Sequence, residues 1–105
     1  MFYMDTALLR SVASQLMTRP EVNIQGRRLP VRRTSLHYFK TVTFTMNGRE
    51  YMAIEQNASK PSYWGKLARQ GHRVVQFKDL KTNRFVAVAV DGDVKEYGKM
   101  TRRAA

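Results

Sequence analysis

Basic side chains are concentrated in two acid-free segments of the sequence, and their characteristic chemistry is the binding of anions. The first segment includes GRRLPVRRTSLHYFK at positions 26–40, and the second lies between Glu55 and Asp79. Arginine matches phosphate oxygens with a planar fork and also stacks on bases, and clustered charges of one sign produce a coherent electrostatic field. The predicted nucleic-acid-binding residues are Arg27, Arg28, Arg32, Arg33, Lys40, Lys60, Lys66, Arg69 and Arg73.

Aromatic residues accompany these cations, and an exposed ring can stack on an unpaired base. Phe39 lies at the end of the first segment, on the predicted solvent side of a strand, and is the candidate stacking residue. Tyr63 and Trp64 belong to the second segment. Trp64 falls in the apolar arc of a predicted helix, so core packing is its simpler role.

The residues needed for catalysis or metal binding do not form a recognisable constellation. Ser35 and His37 are two positions apart on a predicted strand, a spacing that does not indicate a catalytic triad. His72 and the carboxylates near Asp91 lack the spacing of a metal site. The absence of cysteine excludes disulfides, thiolate zinc sites and cysteine nucleophiles. We therefore predict no enzymatic activity, no metal and no cofactor.

Two helices are predicted to position these residues. The first begins after a capping Asp5, starts at Thr6 and ends before Pro20. Its wide apolar arc indicates packing on a sheet, and helix 5–18 is also a candidate surface for a homodimer. The second helix is NASKPSYWGKLARQG, in which Gly71 is the expected residue after the C-cap.

Alternating apolar residues predict strands on either side of the second helix. Asn47-Gly48 is a strong hairpin signal that sets Phe44 opposite Tyr51. An earlier hairpin, VNIQGRRLPV, is predicted to turn at Gly26-Arg27 and to end in an edge strand, since Pro30 cannot donate to a ladder. That edge strand is a second candidate dimer contact. The segments HRVVQFK, RFVAVAV and VKEY predict a final three-stranded meander with RFVAVAV in the interior.

The predicted fold class is α+β, with a mostly antiparallel sheet of about 5–7 strands in the order α-β-β-β-β-α-β-β-β. We expect both helices to pack on one face of the sheet. Residues 1–98 are predicted to form a single domain, and residues 99–105 a loose basic tail. No apolar run approaches the roughly 20 residues of a membrane span, and together with the lack of cysteine this predicts a cytoplasmic protein.

The net charge of +11 favours a polyanionic partner over a generically basic surface. The leading hypothesis is a small protein that binds DNA or RNA through backbone phosphates with low sequence specificity. It depends on the predicted cations converging on one surface. The alternative is a protein-interaction or oligomerisation module whose basic face docks an acidic partner, and a third possibility is a toxin-like ribonuclease. The sequence does not distinguish DNA from RNA, or single from double strands.

Overall fold

The part of the chain that the structure describes forms eight strands and two helices, and the α+β class with a mostly antiparallel sheet is confirmed. The structure is a computed structural model that describes residues 5–33, 39–56 and 63–97. Lys60 and the predicted tail at 99–105 lie outside these residues. The elements in chain order are α1 (Thr6–Thr18), β1 (Glu21–Ile24), β2 (Arg27–Pro30), β3 (Arg32–Arg33), β4 (Lys40–Met46), β5 (Arg49–Glu55), α2 (Tyr63–Arg69), β6 (Val74–Asp79), β7 (Arg84–Val90) and β8 (Asp93–Glu96).

α1 begins and ends where the sequence predicts. The Asp5 side chain accepts a hydrogen bond from the Leu8 amide at 3.1 Å, which satisfies one of the free N–H groups of the first turn. The apolar arc packs inside the chain, where Leu9, Val12 and Leu16 are fully buried. Burial of each such side chain contributes roughly 1.5–3 kcal/mol. The apolar surface that suggested a dimer through helix 5–18 is therefore largely occupied by the protein's own core.

The main sheet has six antiparallel strands in the order β3-β4-β5-β6-β7-β8. The β4–β5 register is as predicted, with Phe44 opposite Tyr51 and Val42 opposite Ala53. β7 lies in the interior of the sheet, between β6 and β8, as its apolar composition predicts. β3 is an additional short strand that pairs with β4 through Arg32–Thr41 and Arg33–Lys40.

The first hairpin, β1–β2, forms a separate two-stranded sheet, and its predicted turn was wrong. Gln25 and Gly26 form the turn, with φ values of 51° and 80°, so both central residues are left-handed as in a type I′ turn. Val22 therefore pairs with Leu29 rather than Val31, and Arg27 pairs with Ile24 instead of occupying the tip. The shift is two residues, so the apolar face is unchanged.

α2 ends in the predicted glycine. Gly71 has a φ of 95°, its amide donates to the Ala68 carbonyl, and the His72 amide donates to the Leu67 carbonyl, both at 3.1 Å. These two bonds are the Schellman arrangement that closes a helix on a left-handed glycine. Positions 57–62, at the start of the predicted helix, lie outside the described residues.

The two helices lie on opposite faces of the six-stranded sheet, which corrects the expectation that both pack on one face. α1 covers the face that carries the main core, including Val42, Phe77 and Ala89. α2 lies on the other face, because Trp64 stacks on Tyr97 and Tyr97 in turn accepts a hydrogen bond from Gln76. Gln76 alternates with the core residue Phe77, so its side chain points away from α1. We call these surfaces the α1 face and the α2 face.

Candidate nucleic-acid interface

The predicted cations are divided among several surfaces. Arg32 and Arg33 are successive strand residues, so their side chains point to opposite faces. Arg32 pairs with Thr41 and belongs to the α2 face, whereas Arg33 pairs with Lys40 and belongs to the α1 face. One platform that includes all the predicted residues is therefore not formed.

The α1 face holds two of these cations close to α1. The Lys40 ammonium donates to the Met17 carbonyl at 3.4 Å, in the last turn of α1, where a positive charge is favourable. Arg73 lies with Arg10 along a cleft between α1 and the β7–β8 turn. The Arg10 side chain also donates to the Gly92 carbonyl at 2.9 Å, which fastens α1 to that turn.

The hairpin arginines occupy two further positions. Arg28 pairs with Asn23 on the side of the hairpin that points away from the core, and it is exposed. Arg27 lines a cleft together with Asp5 and Glu50, two carboxylates that reduce the local positive potential. Neither arginine belongs to the main sheet. The predicted stacking residue Phe39 is half-buried directly before β4.

The α2 face combines three predicted cations with two that the sequence reasoning missed. Strand alternation places Lys78 and Lys95 on this face, since Lys78 pairs with Met52 and Lys95 with Val88. Among the described residues of this face, the cations are Arg32, Lys66, Arg69, Lys78 and Lys95, and the strand carboxylates are Glu50 and Asp93.

The strands of the α1 face have the same net charge, +1, as the strands of the α2 face. Their described charged residues are Arg33, Lys40, Arg49 and Arg84 against Glu55, Asp79 and Glu96. Four strand cations are thus offset by three carboxylates, and on the α2 face the strands have three cations, Arg32, Lys78 and Lys95, against two carboxylates. The further positive charge of the α2 face comes from α2 itself, whose described residues include Lys66 and Arg69 and no carboxylate.

A row of side chains on the α2 face remains open beside α2. Thr43, Met52, Lys78 and Phe85 pair across four neighbouring strands, and we call this row the open strip. Thr43 and Phe85 are exposed, and Met52 and Lys78 are half-buried. α2 covers the adjacent row, in which Ile54 and Gln76 are buried.

A bulge places Phe85 in the open strip. Phe77 pairs with Ala87, but the next residue, Lys78, pairs with Phe85, so Val86 has no partner of its own. Bulges redirect side chains in this way. Without the bulge, Val86 would face Lys78 and the Phe85 ring would point toward α1. The Lys78 ammonium lies 5.5 Å from the centroid of the Phe85 ring, a cation–π contact worth about 0.5–1 kcal/mol at an exposed site.

α2 presents a second aromatic ring beside this strip. Tyr63 is 64% exposed, and it forms a solvent-facing ridge with Lys66 and Arg69 at a spacing of three residues. Phe85 is 38% exposed. Phe85 was missed as a surface aromatic, because its exposure depends on the bulge.

The side of α2 that faces the sheet is held by a ring stack, next to which lies a hydrogen bond. Gln76 Nε2 donates to the Tyr97 hydroxyl at 2.6 Å, and the Tyr97 ring stacks on Trp64 with centroids 6.4 Å apart. Burial raises the pKa of Tyr97 above its usual value. Tyr97 is therefore neutral and adds no negative charge to the α2 face at physiological pH.

Two carboxylates outside the α2 face are engaged by neighbouring donors. Asp79 forms an ion pair with Arg49, in which Oδ2 and Nη2 are 2.7 Å apart. Asp91 accepts the Arg73 amide at 2.9 Å and contacts His72 Nδ1 at 2.7 Å. The hydrogen bond from the Arg73 amide lowers the pKa of Asp91 most, and the hydrogen bond with His72 lowers it further. These contacts account for Asp79, Asp91 and His72 as structural residues at strand ends.

A metal site, a membrane span or a similar known protein would each indicate a class of function. The described residues contain no group of three or more His, Asp or Glu side chains that could hold a metal ion. No helix in the described part of the chain is long and apolar enough to cross a membrane. No protein-family model, curated protein or solved structure matches this sequence.

Proposed function

We propose that this protein binds nucleic acid through the backbone phosphates, with low sequence specificity, on its α2 face. The observation that carries the proposal is a local cluster of five cations and two carboxylates on this face, which takes the place of the single platform of all the predicted cations. Phosphate contacts position a protein on nucleic acid without reading sequence. Low specificity is expected because the described side chains of this face are mostly cations, aliphatic residues and threonines.

Salt dependence tests the proposal directly. Each neutralised phosphate contributes about −0.7 to the slope of log affinity against log salt for single strands, and about −0.9 for duplexes. Five contacts predict a slope of roughly −3.5 to −4.5, or a loss of about 100- to 500-fold between 50 and 200 mM salt. Fluorescence anisotropy with a labelled oligonucleotide measures this slope. An affinity that is unchanged across that range contradicts phosphate binding.

A pair of charge-matched variants tests the position of the interface. Arg32→Ala/Lys66→Ala removes two cations of the α2 face and is expected to reduce the slope by about 1.4 on single strands. The control Arg28→Ala/Arg33→Ala removes two exposed cations from other surfaces. Arg28 and Arg33 are both among the binding residues predicted from the sequence, so this control also tests that wider prediction. Equal losses in both variants would mean that binding is spread over the whole basic surface.

The oligomerisation alternative remains a prediction for the edge strand near Pro30. β2 is an edge of its two-stranded sheet, and an exposed strand edge can pair with another chain. Light scattering across the concentration range of the binding assay measures this self-association. A dimer that persists without nucleic acid would favour the alternative.

A further inference from the structure

We propose that the open strip binds unpaired bases, so that the preferred partner is single-stranded rather than duplex nucleic acid. This inference rests on the proposed function and specifies the ligand of the same face. The strip belongs to a six-stranded sheet, and the major groove of a duplex admits a helix or a two-stranded ribbon. A duplex can therefore present only its backbone to this surface, whereas a single strand can lay its bases on it.

The row of side chains has the chemical composition of a stacking surface. Phe85 offers an exposed ring at one end, Met52 adds a polarisable apolar contact, and Thr43 has a hydroxyl that both donates and accepts. Such groups tolerate any base, because every base has a π-face and edge groups of both kinds. The open strip therefore favours binding without sequence preference.

The cation–π contact between Lys78 and Phe85 does not prevent stacking. The ammonium lies 5.5 Å from the ring centroid, and the lysine stem is flexible enough to follow a backbone phosphate when a base approaches. A base stacked on an aromatic side chain contributes more than an exposed cation–π contact. Lys78 can thus exchange its contact with the Phe85 ring for a contact with the phosphate of the nucleotide whose base stacks on that ring.

The surrounding charges give the strand a path across the sheet. Arg32 lies on β3, and Phe85 lies four strand positions away on β7, a width of roughly 19 Å at the usual strand spacing. Lys78 lies between them on β6. Tyr63, 64% exposed on the outer ridge of α2, provides a second ring on the same face. Cations and aromatic rings thus occur together, which is the pattern of proteins that bind single strands.

The test compares a 12-nucleotide oligothymidine with a 12-base-pair duplex in anisotropy titrations at constant salt. Phe85→Ala is expected to weaken single-strand binding about 5- to 150-fold and to leave duplex affinity within about twofold. Phe85→Tyr retains a ring and is the matched control, with affinity expected near that of the wild type. Phe85→Leu retains apolar bulk without the ring and is expected to lose affinity as the alanine variant does. Thermal melts verify that each variant is folded.

The outcomes separate this inference from the proposal on which it rests. If the wild type binds in a salt-dependent manner but Phe85→Ala and Phe85→Leu retain full single-strand affinity, stacking is refuted and phosphate binding stands. Equal losses on both ligands would also overturn the single-strand assignment. If the wild type binds neither ligand, the proposed function itself is wrong. A wild-type dimer that Phe85→Ala dissociates would identify a second copy of the chain as the occupant and overturn the inference.

Discussion

The ion pair between Arg49 and Asp79 provides a quantitative test of how the β5–β6 end of the sheet is held. The Asp79 side chain is only 5% exposed and the Arg49 side chain 34%, with 2.7 Å between Nη2 and Oδ2. Asp79 Oδ1 also accepts the Lys81 amide at 2.9 Å. Removing one partner of a fully buried pair costs about 3–5 kcal/mol. Because Arg49 retains solvent contact, we expect about 2 kcal/mol for Asp79→Asn.

A double-mutant cycle isolates the pair from its surroundings. Asp79→Asn retains an acceptor for the Lys81 amide, and Arg49→Met retains the length of the stem, so each change removes mainly the charge. We expect the double variant to be less destabilised than the sum of the single variants, with a coupling of about 1–2 kcal/mol. Urea denaturation measures each free energy of unfolding. A loss of about 2 kcal/mol lowers the Tm by roughly 8–16 °C.

A coupling below about 0.3 kcal/mol would refute this reasoning, because the two sites would then be energetically independent. Tyr51 gives a second readout. Burial raises the pKa of the Tyr51 phenol, the charge of Asp79 raises it further, and Arg49 opposes this. Asp79→Asn should therefore lower the pKa of Tyr51, as followed by NMR titration of the tyrosine ring. An unchanged pKa of Tyr51 would mean that the Asp79 charge does not act on the Tyr51 phenol.

Two further perturbations test local features. Asp91→Asn should lower the Tm at pH 7, because the Arg73 amide and His72 hold the pKa of Asp91 in the folded protein below 3.8. The stabilisation by the Asp91 carboxylate is present above pH 3.8 and is lost as the pH falls through the pKa of the folded state. The Tm values of the variant and the wild type should therefore converge in that acidic range. Gly48→Ala should lower the free energy of unfolding by about 1 kcal/mol, because Gly48 has a φ of 76°. An added methyl group would meet no atom within 4 Å beyond the neighbouring residues, so backbone strain is the cause. An unchanged midpoint of urea denaturation would contradict this strain.

Local signals in the sequence predicted the elements whose geometry depends on neighbouring residues. Asn47-Gly48 set the β4–β5 register, because a two-residue turn leaves a single pairing of the flanking strands. Asp5 and Gly71 marked helix ends for similarly local reasons. The first hairpin was harder, since Gly26 fits either central position of a tight turn. Only the observed φ of Gln25 distinguishes the two registers.

The candidate site could be predicted only in part, because it depends on which face each residue occupies. The run of arginines suggested one basic platform, but alternation in β3 sends Arg32 and Arg33 to opposite faces. Phe85 was assigned to an interior strand, and the bulge next to Lys78 that exposes it has no local sequence signature. The position of α2 was likewise undetermined, since an amphipathic helix packs equally well on either side of a sheet that is apolar on both.

The connection that carries α2 joins strands that are already neighbours. Glu55 pairs with Val75 and the Gln56 amide donates to the Val74 carbonyl, so a two-residue turn would suffice to link β5 and β6. Residues 57–73 are therefore longer than the connection between these two strands requires. The remaining strands and α1 form a scaffold whose routing is independent of that segment. Exchange of the segment would change the cations and aromatic rings that α2 presents without rethreading the chain, provided that the replacement shields the apolar side chains beneath it.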